Sequence, residues 1–205
     1  RMRNSFVAKK DLDSEMTVVR NELERGENDP GRVLNQRLRS VAYDWHNYGN
    51  TTIGARSDVE QVPIERLQAF YRTWYQPDNA VLIVAGRFQP EDVLARIQRN
   101  FGALKKPARV LPVSYTSETA QDGEREINVR RSGDIRITSL AYHMPAATHA
   151  DTPALIVLGN ILSHTPGGRL HKALVETRLA AGIGAGAGAM RDPGIFNLAV
   201  VVPKD

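Results

Sequence analysis

The stretch Ile135-Arg136-Ile137-Thr138-Ser139-Leu140-Ala141-Tyr142 opens on apolar–polar alternation over residues 135–138 and reads as a paired strand. Residues 126–130 alternate in the same way just upstream, and Ser132-Gly133-Asp134 between the two runs supplies turn residues, which predicts a hairpin. Downstream, Asp151-Thr152-Pro153 opens a helix to about Leu162, with Asp151 or Thr152 as the N-cap and Pro153 in the first turn. A further helix follows over residues 169–178. Residues 182–188 alternate Gly with Ile or Ala, which reads either as a thin strand under a close-approaching backbone or as a flexible loop. Residues 195–202 are a last strand.

Upstream, the region is mainly helical. Residues 5–25 contain neither Pro nor Gly and end at Gly26-Glu27-Asn28-Asp29-Pro30, so a long helix stops near Arg25 and a second begins at Pro30. In that second helix Val33, Leu34, Leu38, Val41 and Ala42 recur at helical spacing. Residues 47–62 read as loop. Pro63 opens a third helix to about Tyr75, and residues 90–101 form another. The continuous apolar run Asn79-Ala80-Val81-Leu82-Ile83-Val84-Ala85-Gly86 fits a buried strand. Groups of strands with intervening helix pairs, rather than strict alternation, predict an α+β fold: a layer of helices on a largely antiparallel sheet. Lys105-Lys106-Pro107-Ala108-Arg109 and the aperiodic residues after it have the composition of a linker. The expected organisation is therefore a subdomain over residues 1–108, a linker over 109–123 and a second subdomain over 124–205.

Composition narrows the function. The 205 residues are 41% hydrophobic and 24% charged, ordinary values for a globular chain, and no apolar run reaches the roughly 18 residues of a membrane span. The absence of cysteine removes disulfides and thiolate metal sites but is compatible with periplasm and cytoplasm alike, so the compartment stays open. A net charge of +4 is modest, its cations are scattered apart from doublets such as Lys9-Lys10 and Arg130-Arg131, and aromatics are only 6%, which argues against a nucleic-acid groove. Arg1-Met2-Arg3-Asn4-Ser5-Phe6 lacks the apolar core and cleavage site of a secretory signal, and Met2 does not read as a natural start. The chain reads as an internal segment.

On the first helix, at 100° per residue, Leu12, Met16, Val19 and Leu23 fall in one arc and form a core-facing stripe. Glu15 and Glu22 are seven positions apart and point the same way, between that stripe and Val18. A carboxylate so placed has to be paired, hydrogen-bonded or metal-bound. A Lys or Arg from a neighbouring helix is the simpler partner, and geometry by itself favours it. The five histidines, His46, His143, His149, His164 and His171, form no i, i+4 pair and no His-x-x-Glu-His sequence, so each is expected to be a surface or satisfied core residue.

Asp13-Ser14-Glu15-Met16-Thr17-Val18-Val19-Arg20-Asn21-Glu22 closely resembles the distal-glutamate helix of the insulinase/pitrilysin zinc peptidases. The resemblance runs on through Asn28-Asp29-Pro30, Thr52-Ile53-Gly54, the segment Phe70-Tyr71-x-x-Trp74-Tyr75-x-Pro77-Asp78-Asn79, and Val84-Ala85-Gly86. It continues in the second subdomain at Asp151 and at Gly168-Arg169-Leu170 to Glu176, so it covers nearly the whole chain. It implies metallohydrolase-like subdomains in two partial repeats, and a zinc endopeptidase that hydrolyses peptides inside a clamshell chamber. By the match Glu22 is the third protein ligand of the zinc and Glu15 the second acid of the site. The other two ligands and the general base belong to a His-x-x-Glu-His motif expected upstream of residue 1, so this segment is expected neither to cleave peptides nor to hold Zn2+ tightly. Family members also use an Arg and a Tyr to hold substrate; Val175 and Gly182 stand at the matching positions here. The resemblance thus implies the metal-bearing half, with the Arg and Tyr supplied by a second homologous half or a partner subunit. The competing reading is a non-catalytic scaffold or partner subunit of the same family.

Overall fold

In the computed structural model, residue 5 and residues 7–202 are described. The elements run α1 (Lys9–Glu27), α2 (Pro30–Ala42), α3 (Arg56–Gln61), α4 (Ile64–Trp74), α5 (Pro90–Phe101), β1 (Arg136–Met144), α6 (Thr152–Ser163), β2 (Gly182–Ala187) and β3 (Gly194–Val202). The chain is α+β and divides into two compact units: Arg1–Asn21 with Ala55–Tyr115, and Glu22–Gly54 with Thr116–Asp205.

The first unit is helical. Val59 on α3 and Ile64 on α4 are its buried apolar side chains among the described residues. On α4 the aromatic residues pack on one another: Tyr71 and Tyr75 stack with centroids 5.4 Å apart, and Phe70 lies 6.1 Å from Trp74. Asn79 closes the helix by donating its side-chain amide to the Trp74 carbonyl at 3.0 Å. The apolar run after it is not the expected buried strand. Residues 80–85 have no strand assignment, and Val81 and Ile83 are 88% and 81% exposed. A run with high β-propensity becomes a strand only beside another strand that takes up its N–H and C=O groups, and the described residues of this unit contain none.

The second unit holds the sheet, in strand order β1-β3-β2 with both pairings antiparallel. Leu198 of the central strand lies opposite Leu140 on one side and Ala185 on the other. The core gathers there: Leu23, Tyr43, Met144, Ala180, Ile195 and Phe196 are all buried. Helix α2 packs on β1 and begins as expected, with Pro30 in its first turn and Asp29 accepting the Arg32 N–H at 3.0 Å.

Several expectations need correction. The hairpin does not form: residues 126–130 have no strand assignment, and β1 pairs along its full length with β3 instead. Alternation marks a segment as strand but carries no information about its partner. Residues 47–62 are not all loop, because α3 occupies part of them and Asn47–Gly49 is a 3₁₀ turn. Residues 169–178 contain a π-helical turn, His171–Val175, rather than a regular helix. Asp151 is the N-cap residue of α6, as one of the two expected candidates, but its side chain makes no capping bond; Thr152 is buried and donates its hydroxyl to the Ala146 carbonyl at 2.9 Å. Of the two readings of the Gly-alternating run, the strand is correct.

That strand has a packing reason. Helix α6 lies against β2 at Gly159, where a Cβ would stand 3.1 Å from the Ala185 carbonyl oxygen and 3.2 Å from the Gly186 Cα. Both neighbours are backbone and have little room to yield. Gly159→Val is therefore expected to destabilise the second unit by about 1–3 kcal/mol, read as a lower denaturation midpoint. A midpoint at or above that of the unaltered chain would show that helix and strand do not approach so closely.

Candidate functional site

Helix α1 forms where the sequence places it, and its stripe behaves as expected: Leu23 is buried, and Leu12, Met16 and Val19 are partly covered. Glu15 belongs to the first unit and Glu22 to the second. Both are exposed. Among the described residues neither carboxylate has an ion pair or a hydrogen bond, so the expected Lys or Arg partner is not there. The burial that would have demanded such a partner is also missing, since Val18, which was to close the apolar face around them, is 60% exposed. Among the described residues no three His, Asp or Glu side chains stand close enough to hold a metal ion.

In the first unit, Asp78 and Arg109 form a bidentate pair that the sequence reading missed. Arg109 Nη1 donates to Asp78 Oδ2 at 2.8 Å and Nη2 to Oδ1 at 2.9 Å. Arg109 lies in the aperiodic residues beyond α5, where no periodic signal assigns a side chain a partner. The Arg109 hydrogen bonds hold the Asp78 carboxyl below its ordinary range, against a smaller opposing effect of burial. A depressed pKa stabilises the folded form above the unfolded carboxylate value, and that contribution is lost as pH falls through the lowered value. Arg109→Gln should return the Asp78 titration, followed by carboxyl-carbon NMR, to the usual region near pH ~4. An unchanged titration would mean that the pair does not form in solution.

The second unit contains a denser polar cluster. Glu118 accepts three successive main-chain N–H groups, those of Asp44 at 2.8 Å, Trp45 at 3.0 Å and His46 at 2.9 Å. Arg125 reinforces this attachment, donating to both Asp44 oxygens at 3.0 and 2.6 Å and to the Val41 carbonyl at 2.6 Å. Tyr43 donates its hydroxyl to the Pro193 carbonyl at 3.2 Å, and the Tyr48 hydroxyl accepts the Asp192 N–H at 3.2 Å. Beside these groups lies a cleft of about 290 Å³, bordered by His46, Glu118, His143 and Asp192 among others. Burial pushes the Glu118 carboxyl up, but the His46, Asp44 and Trp45 amides and the nearby His143 together outweigh it and leave the carboxyl below its ordinary range. Burial also raises the Tyr43 phenol, with Arg39 pulling the other way. Sequence reading passed over Glu118 because it lies in a linker-like stretch and its acceptors' partners are 72 to 74 positions away.

Removing Glu118 leaves three amides with water as their alternative. Glu118→Ala should cost the second unit about 1–2 kcal/mol, a partly exposed charged acceptor being screened by solvent. Because its folded pKa is depressed, the Glu118 contribution is present above the unfolded value and disappears as pH falls through the folded one, so the variant's stability should vary less with pH on the acid side. Equal acid sensitivity in variant and parent would contradict this.

Comparison with known proteins places these features. Residues 61–205 match the family model described as the peptidase M16 inactive domain; Glu15 and Glu22 precede the matched residues. The "Zinc protease PqqE" of Helicobacter pylori is 30% identical over 159 residues, covering 77% of this chain and 36% of that protein. The crystal structure of a protease from Helicobacter pylori superposes with a TM-score of 0.92 at 27% identity, covering 97% of this chain and 49% of that one. A peptidase M16 inactive domain from Pseudomonas fluorescens gives a TM-score of 0.82 at 20% identity, covering 96% of this chain and 47% of that one, a likeness of fold. The chain spans less than half the length of each. No helix among the described residues is long and apolar enough to cross a membrane.

Proposed function

The chain belongs to the peptidase M16 family, the insulinase/pitrilysin-type zinc peptidases, and from that premise we propose that it is part of a zinc-dependent metalloendopeptidase acting on peptides within a closing chamber. Within that enzyme Glu22 is a zinc ligand and Glu15 an accompanying acid. The observation that carries the assignment is the ordered series of Glu15, Glu22, the Asn-Asp-Pro that starts α2 and the aromatic segment of α4, and it is supported by α1 forming as a continuous helix with the Glu22 carboxylate exposed and without an ion pair among the described residues. It is free to take a ligand's place without giving up another partner.

When bound, zinc in a His₂Glu site lowers the pKa of its water to about 7 and polarises the substrate carbonyl. The part this chain plays is narrower. Glu22 would hold the metal through its carboxylate, and Glu15, one helical repeat away, would add negative charge and orient neighbouring groups. The other ligands and the general base come from a His-x-x-Glu-His motif elsewhere in the protein. Val175 closes the π-helical turn and Gly182 opens β2. Neither has a side chain able to hold a substrate carbonyl, so the Arg and Tyr of the family come from a second homologous half or a partner subunit. We assign the boundary between the two family subdomains to residues 109–123; the change from one compact unit to the other after Tyr115 supports it.

The test uses the longer protein. Glu22→Gln is expected to lose zinc and peptide hydrolysis together, whereas Glu15→Gln should lower turnover by about 10–100-fold with a smaller loss of metal. Metal content by atomic absorption and cleavage of an unfolded peptide measure the two effects. Near-normal turnover in both variants would overturn the assignment, as would stoichiometric zinc retained through dialysis by the 205-residue chain itself.

A further inference from the structure

Residues 80–85 of the first unit have the sequence of a buried strand and the surroundings of a loop. Ala80 enters the run with extended backbone, at φ −131° and ψ 142°. Continued as a strand, the run would turn Val81 and Ile83 to one side and Leu82 and Val84 to the other. All four are exposed. Among the described residues no main-chain N–H or C=O of residues 80–85 has a hydrogen bond. Apolar side chains and backbone groups thus lack partners in the same place.

Helix α5, in the same unit, has the same deficit. Val93, Leu94, Ile97 and Phe101 recur at helical spacing and make one apolar face. Leu94 is nevertheless 64% exposed, Phe101 is exposed, and Val93 and Ile97 are only partly covered. With Val59 and Ile64 as the buried apolar side chains of this unit among the described residues, most of its apolar surface faces water. Water is a poor neighbour for the run at 80–85 in particular. It contains no charge and no Pro, the devices that keep natural edge strands from joining other chains, and uncharged β-prone runs of this length are the kind that aggregate.

We propose that residues 80–85 are a sheet strand whose partner is a strand of the same polypeptide outside residues 1–205, and that the sheet so completed covers the apolar face of α5. Two observations select this occupant. This chain spans less than half the length of each relative described above, so a protein of their length has ample further chain to supply strands. A second copy of residues 1–205 would bring a first unit with no strand among its described residues. Two such runs would make only a two-stranded ribbon, which is marginal in water, and would bring no further strand to cover α5. The inference rests on the reading that the chain is part of a longer protein, but not on the zinc assignment. Metal content and turnover decide the assignment, whereas amide protection decides the strand.

The test is amide hydrogen exchange on the longer protein and on the 205-residue chain. In the longer protein at least two of the amides of residues 81–85 should exchange about 100-fold or more slowly than in the 205-residue chain, at any protein concentration. Ile83→Lys should lower the thermal midpoint of the longer protein by about 5 °C or more and leave that of the 205-residue chain unchanged, because there Ile83 already meets water. Equally fast exchange in the two proteins would overturn the proposal. So would an equal shift of midpoint in both, or protection that appears in the 205-residue chain as its concentration rises, which would make a second copy the partner. Where Ile83→Lys keeps the longer protein from folding, the exchange comparison of the unaltered proteins decides alone.

Discussion

Strand β3 is the constraint on which the second unit depends. Over Gly194–Val202 it is the shared partner of β1 and β2, and its first three residues are buried. A central strand has both rows of backbone groups paired, whereas each flanking strand has one, so neither β1 nor β2 keeps its place without it. The helices follow from that arrangement. Helix α2 packs on β1, and α6 comes down on β2 closely enough that a Cβ at residue 159 would stand 3.1 Å from the Ala185 carbonyl oxygen. The alternating glycines of β2 are the other half of that contact, a strand thin enough for helix backbone to approach it.

The polar cluster around Glu118 works by a different principle. Residues 43–49 belong to no long element, and an irregular segment leaves main-chain amides without ladder partners. One carboxylate collects three of them in succession, and Arg125 fastens the same segment through Asp44 and the Val41 carbonyl. Loop and linker-like stretch thereby order each other, though neither has regular structure of its own. Asp78 and Arg109 do the same for the segment that follows α5 in the first unit.

What was legible in the sequence divides along these lines. Helices α1, α2, α4, α5 and α6 could be read from periodicity, capping residues and prolines, because those signals act within a few residues of each other. The apolar run at 79–86 and the alternation at 126–130 indicated strand, but strand formation depends on a distant neighbour, and local pattern is silent on which one. Residues 139 and 198 illustrate the point: Ser139 bonds the Leu198 carbonyl across the sheet, and nothing near either residue announces the other. Glu118 and Arg109 were missed for the same reason, as single residues in aperiodic stretches. The stripe on α1 was legible, whereas the exposure of Glu15 and Glu22 was not, since helical geometry fixes direction and only packing fixes burial.

That exposure bears on how acids of this chain are to be sorted. Asp29 caps a helix, Asp44 and Asp78 are bound to arginines, and Glu118 accepts three amides. A metal recruiting any of these would first have to displace donors already in place, at the cost of leaving them unsatisfied. Glu22 has no such attachment among the described residues, which removes that obstacle, but Glu15 and several other surface acids share the same freedom. Freedom alone therefore selects no ligand. What separates Glu22 is its place in an ordered series: the acid seven positions before it, the Asn-Asp-Pro that starts α2 after it, and the aromatic segment of α4 beyond. The geometry makes the role physically open, and the family pattern is what points to this carboxylate rather than its neighbours.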